Sequence, residues 1–225
     1  MNRNYHAFCA MLLALVLVLV MCSQFIRDTS ARAGTEKVVY LTFDDGPSDR
    51  VTPKILDTLK EEKVKATFFI VGTAAENRKY LLERERTEGH TIAVHSYTHE
   101  YSQIYSSAEN LLADIDKCNE VIKSVTGSYS ALYRFPGGSY GLRDELIEAV
   151  KAHGMKYVDW NASICDAEYC TAPQEILYTN AVNSSKGRDS VILLAHDSTT
   201  KSTTAKALKD IIEYFKSQNY KFATL

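Results

Sequence analysis

Six residues of this 225-residue chain have the types and neighbours that hydrolytic metal chemistry needs: Asp44, Asp45, His95, His99, Arg134 and His196. Two histidines and a carboxylate can hold one divalent ion through imidazole nitrogen and carboxylate oxygen. A spare carboxylate and a spare histidine then supply a base and an acid. Taken alone, His-x-x-x-His is more often two histidines on a solvated helix face, and Asp-Asp-Gly is more often a turn. Here each closes or follows an apolar run. Asp44 and Asp45 follow the run at 38–43, His95 closes 91–94, Arg134 follows Leu132-Tyr133, and His196 closes 191–195. Strand ends at one edge of a sheet or barrel are where such folds place their active sites.

The elements that must position them alternate. Strand-like runs fall at 38–43, 66–71, 91–94, 132–133, 155–158, 191–195 and 220–224, which makes seven. Between them lie amphipathic segments: Ile55, Leu56 and Leu59 after a Thr52-Pro53 start, then Leu111, Ile115, Cys118 and Ile122, then Ala205, Leu208, Ile212 and Phe215. Gly127 and Gly154 sit where helices should stop. Such alternation predicts an α/β fold with parallel strands. An open doubly wound sheet and a barrel both fit the pattern. The barrel is preferred, because chemistry from strands spaced about 5 Å apart along a flat sheet would be spread out in a line.

Composition narrows the class. Apolar residues make up 45% and charged residues 24%, enough for one sizeable core, and a net charge of −2 argues against a nucleic-acid partner. The N-terminus reads differently. Residues 1–33 form an export segment with an unbroken apolar run from Ala7 to Cys22, extended to Phe25-Ile26 and flanked by Arg3 and Arg27. Its length favours an uncleaved membrane anchor over a signal peptide cut after Ala31-Arg32-Ala33. Either version places residues 37–225 outside the cytoplasm, secreted or anchored and facing the cell wall. Oxidising surroundings leave open a disulfide between Cys165 and Cys170, while Cys118 reads as core. No oligomerisation signal is evident, and a monomer is the working state.

The motifs carry a resemblance. Thr42-Phe43-Asp44-Asp45-Gly46-Pro47, His95-Ser96-Tyr97-Thr98-His99, Arg134-Phe135-Pro136-Gly137-Gly138, Asp159-Trp160 and Leu194-Ala195-His196 are similar, in order, to the five motifs of the polysaccharide deacetylases. That family is also called NodB-homology or carbohydrate esterase family 4. The layout of about 37–225 resembles it throughout, which implies a distorted (β/α)7 barrel. By resemblance, Asp45, His95 and His99 bind one divalent metal, zinc by default, with cobalt, nickel or iron also accepted by such donors. Asp44 is implied as the base that takes a proton from the attacking water, with Arg134 holding it. Gly137 occupies the position whose backbone N–H faces the oxyanion; many relatives carry an aromatic residue there, so that side chain's contacts are absent here. His196 is implied as the acid that protonates the leaving amine, Asp159 as the carboxylate that orients it, and Leu194 and Trp160 as walls of a pocket for the acetyl methyl.

The resulting expectation is a metal-dependent hydrolase removing N-acetyl groups from an extracellular amino-sugar polymer, peptidoglycan N-acetylglucosamine or a chitin-like glycan. An O-deacetylating esterase of the acetylxylan type and a non-catalytic, membrane-tethered wall-binding module are the alternatives. His90 and His153 precede strands and read as structural. Tyr97, Tyr101 and Tyr105 recur every four residues and read as helix packing sooner than sugar stacking. The role of Asp166, in the loop after Asp159-Trp160, is left open.

Overall fold

Alternating Val, Tyr, Thr and Phe at 38–43 suit a pleated, buried strand, and the chain uses them as the centre of its sheet. A computed structural model of the protein describes residues 36–168 and 172–225. The expected export segment and the Cys170 half of the disulfide question lie outside the described residues. Among the described residues no helix is long and apolar enough to cross a membrane.

The strands are β1 (Val38–Asp44), β2 (Thr67–Val71), β3 (Thr91–Ser96), β4 (Leu132–Tyr133), β5 (Lys156–Tyr157), β6 (Ala162–Ser163), β7 (Ser190–His196) and β8 (Lys221–Ala223). Their order is β5-β4-β3-β2-β1-β7-β6, every pairing is parallel, and β8 lies against β1. β8 pairs with β1 at Val38–Tyr40, below the stretch at 42–44 where β1 meets β2. The α/β, parallel expectation holds, and the expected distorted (β/α)7 barrel is met in part, with eight strands in place of seven and an open edge. The sheet has eight strands and curls into a half-barrel, and no ladder joins edge strands β5 and β6 among the described residues. β6 was not foreseen, because Ala162-Ser163 carries no strand-like run. β4, β5 and β6 are only two residues long, and their chain leaves the sheet early to build the loops around the site.

The helices among the described residues are α1 (Thr52–Glu61), α2 (Gly72–Glu76), α3 (Lys79–Thr87), α4 (Tyr101–Ile104), α5 (Ala108–Thr126), α6 (Asp144–Ala152), α7 (Gln174–Ser185) and α8 (Ser202–Ser217). α5 shows why sequence fixes such an element. Ser107 caps its start by accepting the Asn110 N–H, and Gly127 ends it at φ 82°. Leu111, Ile115, Cys118 and Ile122 are all buried, as their spacing predicts. α1 starts one residue earlier than the Thr52-Pro53 reading, with Val51 as its cap.

Period-two alternation divides the sheet into two faces. Val39, Leu41, Phe43, Phe68, Ile70, Val94, Tyr133, Val191, Leu193 and Ala195 belong to the main apolar core, where Phe43 and Phe68 stack at 5.3 Å. Their in-register neighbours turn the other way: Thr42 and Asp44 on β1, Phe69 on β2, Ala93 on β3, Leu194 and His196 on β7. This second face carries the chemistry. One consequence of alternation is that Asp44, Arg134 and His196 each sit one residue from a core anchor, which costs about 3–5 kcal/mol to truncate when it is a buried Phe.

Candidate active site

Asp44 and Asp45 leave the end of β1 and diverge. Asp44 continues the strand into the buried inner face, only 3% exposed. Asp45 turns at φ 73°, a left-handed conformation uncommon without glycine. Gly46 must follow, because a Cβ there would come within 2.2 Å of both Asp197 carboxylate oxygens. Asp197 in turn accepts the Thr52 hydroxyl at 2.5 Å, and burial, with the Asp45 and Asp44 charges, pushes its carboxyl up to about 7.

His95 and His99 meet Asp45 from β3 and the loop after it. The β2–β3 register shifts between Ile70 and Val71, beside His95, as bulges commonly do next to active sites. His95 Nε2 and His99 Nε2 lie 3.4 and 3.2 Å from Asp45 Oδ1. One donor atom from each of the three residues lies within 4.8 Å of the others. Ligands about 2.0–2.1 Å from one ion at tetrahedral angles are themselves about 3.3 Å apart, so the spacing suits a single divalent cation. Two further observations support the fit. Asp45 Oδ1 is buried without a hydrogen-bond partner. His95 Nδ1 sits 2.8 Å from the Arg134 carbonyl, which can only accept, so Nδ1 carries the proton and Nε2 is left free to ligate. Burial raises the Asp45 carboxyl, but the His95 and His99 contacts outweigh it and hold it far below the usual carboxylate range. Asp45 in turn raises His99.

The loop between the two histidines is held by a residue that sequence reasoning missed. Asp114, on α5, accepts from Ser96 Oγ at 2.6 Å, Tyr97 N at 2.7 Å, and Thr98 N and Oγ1, both at 2.9 Å. Ser96 Oγ then accepts the His99 N–H at 2.9 Å, with His99 at φ 60°. Two of the three candidate ligands therefore stand on left-handed backbone, a strain of about 1–3 kcal/mol each that the surrounding bonds must sustain. The available signal was a carboxylate adjoining the apolar stripe of Leu111 and Ile115.

Arg134 is fully buried under this site. Its Nη1 donates to Asp44 Oδ1 at 2.9 Å and Thr42 Oγ1 at 2.7 Å, and its Nε donates to the Val158 carbonyl at 2.9 Å. The guanidinium lies over the Phe69 ring at 4.1 Å. Such a buried, multiply bonded cation fixes the position of Asp44.

His196 closes β7 in register with Asp44. Its partner corrects an expectation. The carboxylate bonded to its Nδ1, at 2.7 Å, is Asp166, not Asp159. Asp166 also accepts the His196 N–H at 2.9 Å and the Thr204 hydroxyl at 2.7 Å, while buried Lys201 donates to its carbonyl at 2.6 Å. Asp159 instead accepts from Ser139 N at 3.0 Å and from the Ser139 hydroxyl, pinning the loop that contains Gly137 and Gly138. The reason is β6: after Asp159 the chain re-enters the sheet beside β7, and the next turn brings Asp166 beneath His196. Burial would lower the His196 imidazole, but the bond and charge of Asp166, with Asp44 and Asp45 nearby, lift it to about 9.

Of the three expected substrate contacts, Leu194 is buried on the same sheet face as Asp44 and His196. Trp160 lies 5.8 Å from the Arg134 guanidinium and against Gly138, where a Cβ would approach its ring to 3.1 Å. Gly137 is exposed at φ 77°, in a turn closed by the Gly138 N–H on the Phe135 carbonyl. His90 and His153 lie elsewhere, as expected. His90 is buried and accepts the Ala66 N–H, burial lowering it to about 4, and His153 pairs with Asp116 at 2.7 Å.

Comparison with known proteins bears on this geometry. The family model described as polysaccharide deacetylase matches residues 31–158. The chain is 34% identical to the peptidoglycan-N-acetylglucosamine deacetylase PgdA of Listeria monocytogenes over 194 residues, covering 86% of this chain but 39% of that protein. It is 32% identical over 190 residues to a peptidoglycan-N-acetylglucosamine deacetylase of Bacillus cereus, covering 84% of this chain and 87% of the relative. The crystal structure of the catalytic domain of peptidoglycan N-acetylglucosamine deacetylase from Eubacterium rectale superposes with a TM-score of 0.78 at 34% identity, covering 85% of this chain and 90% of that one.

Proposed function

Because the chain belongs to the polysaccharide deacetylase family and is thereby a hydrolase, we propose that it removes N-acetyl groups from an extracellular amino-sugar polymer, with peptidoglycan N-acetylglucosamine as substrate. One observation carries the reading: a three-donor cation site is flanked by two carboxylate–cation pairs of opposite design, Asp44–Arg134 and Asp166–His196. The names of the relatives supply the choice of polymer. The apolar segment at 7–26 supplies the export, as an anchor or a signal.

Asp45, His95 and His99 would hold a divalent ion, zinc being the default for such donors. When bound, that ion would polarise the acetyl carbonyl and make water more acidic. Asp44, oriented by Arg134, takes the proton as water adds to the acetyl carbon. The Gly137 N–H faces the oxygen on which charge develops. The carbon–nitrogen bond then breaks, the nitrogen leaves with a proton from His196, and acetate and a free amine result. Asp166 keeps His196 charged and aimed for that transfer. An amide nitrogen is a poor leaving group, so a built-in acid contributes most to N-deacetylation and less to release from an acetyl ester.

The test is acetate release by the zinc-loaded protein from peptidoglycan, chitooligosaccharides and acetylxylan. Release from the amino-sugar substrates, abolished by Asp44→Asn, is expected. Release from acetylxylan alone would make the chain an O-deacetylase. If Asp44→Asn matches the wild type in every assay, a binding module is the better description.

A further inference from the structure

The tyrosines at 97, 101 and 105 look equivalent in sequence but not in the structure. Tyr97 is buried, packed so closely on Gly72 that a Cβ there would meet its ring at 2.4 Å. Tyr105 is half-buried, and its hydroxyl donates to the Pro136 carbonyl at 2.7 Å. Tyr101, at the start of α4, is 49% exposed, and its hydroxyl bonds to no group among the described residues. Its ring stands edge-on to candidate ligand His99 at 5.4 Å and to Tyr105 at 5.7 Å.

The position of that ring is informative. A Cβ built on Gly137 would lie 3.1 Å from the Tyr101 hydroxyl and 3.2 Å from Cε1. The ring thus occupies the volume that a side chain at 137 would need. This half-exposed aromatic, whose hydroxyl has no partner among the described residues, stands between a metal-ligand candidate and the turn assigned to the oxyanion, with its ring open to the site's surface. We propose that Tyr101 is a substrate-contacting, specificity-determining residue: it stacks on the pyranose ring that carries the reacting acetamido group, and its hydroxyl hydrogen-bonds that sugar. The aromatic wall missing at Gly137 is thereby supplied from α4. This rests on the deacetylase reading, which places an N-acetylated sugar over Gly137. Aromatic faces suit the apolar C–H face of a sugar, and Tyr adds a polar tip at low conformational cost.

Tyr101→Ala and Tyr101→Phe test it, with three readouts: acetate release from chitooligosaccharides resolved into kcat and KM, calorimetric binding of chitopentaose, and zinc affinity. Tyr101→Ala is expected to weaken oligosaccharide binding and raise KM by about tenfold, as loss of one aromatic contact does. Zinc affinity should stay within about twofold, and Tyr101→Phe should fall between wild type and alanine. Unchanged chitopentaose binding in Tyr101→Ala overturns the proposal, as does a KM effect matched by an equal loss of zinc, which would make Tyr101 a support for His99. If the wild type releases no acetate from any glycan, the deacetylase reading fails by itself, and chitopentaose binding still decides the role of Tyr101.

Discussion

The two carboxylate–cation pairs at the carboxyl edge of the sheet are built in opposite ways. On the proposed mechanism, the carboxylate of Asp44–Arg134 does the chemistry and its cation is scaffold, whereas in Asp166–His196 the cation does the chemistry and the carboxylate is scaffold. The first is assembled from β1 and the end of β4, with a fully buried guanidinium, three further polar partners and an aromatic face beneath it. The second joins a strand end to a loop, and its cation is an imidazole that Asp166 lifts above its ordinary value against the effect of burial. A base that must stay ionised is paired with a permanent charge; an acid that must release a proton is paired with one whose strength can be set by a neighbour.

Substitutions can break or sharpen this contrast. The largest effect belongs to Asp44→Asn, which keeps the shape and removes the base. We expect kcat to fall by about 10³-fold for every acetylated substrate, with a loss of thermal stability because Arg134 is left buried without its counter-ion. Retained activity would contradict the assignment. His196→Ala should separate substrates: kcat falls by about 10²-fold on chitooligosaccharides and by less than tenfold on acetyl esters. Equal losses on both would remove the acid role.

Asp166→Asn should act on activity through His196, the Thr204 hydroxyl being its other side-chain partner. The Asp166 bond and charge, with Asp44 and Asp45, lift His196 to about 9 against burial, and loss of the Asp166 charge should bring its NMR midpoint down in the metal-free protein. The sign follows from linkage. A histidine lifted above its ordinary value of about 6.5 stabilises the fold fully below that pH, and this contribution is lost as pH rises through about 9. Asp166→Asn should therefore be less stable than the wild type at pH 6 and closer to it at pH 10, with kcat lowered about tenfold at neutral pH. The smallest effect is expected of Asp159→Asn: within about threefold in kcat, with the His196 titration unmoved. A reversal of these last two would restore Asp159 as the partner of His196.

The contrast also explains what the sequence could convey. Asp44, Asp45, His95, Arg134 and His196 follow apolar runs whose strand character is written in local residue types, so their convergence could be foreseen. The α/β order was legible for the same reason, and so was the buried stripe of α5. Asp166 follows a two-residue strand with no hydrophobic pattern, so the nearer Asp159-Trp160 drew the assignment. Asp114 reaches its partners across the fold from a helix face that looks like ordinary core, and nothing in its spacing reports the loop it holds. The open edge between β5 and β6 escaped for a related reason: closure depends on how soon short strands leave the sheet, which residue type hardly encodes.

The most direct test of the central claim is calorimetric titration of the metal-stripped protein with zinc, beside His95→Ala and Asp159→Asn. One ion bound per chain, weakened more than about 100-fold by His95→Ala and unchanged in Asp159→Asn, is the expected result. Zinc that fails to bind, or binds equally well without the His95 imidazole, would show that Asp45, His95 and His99 do not form a cation site.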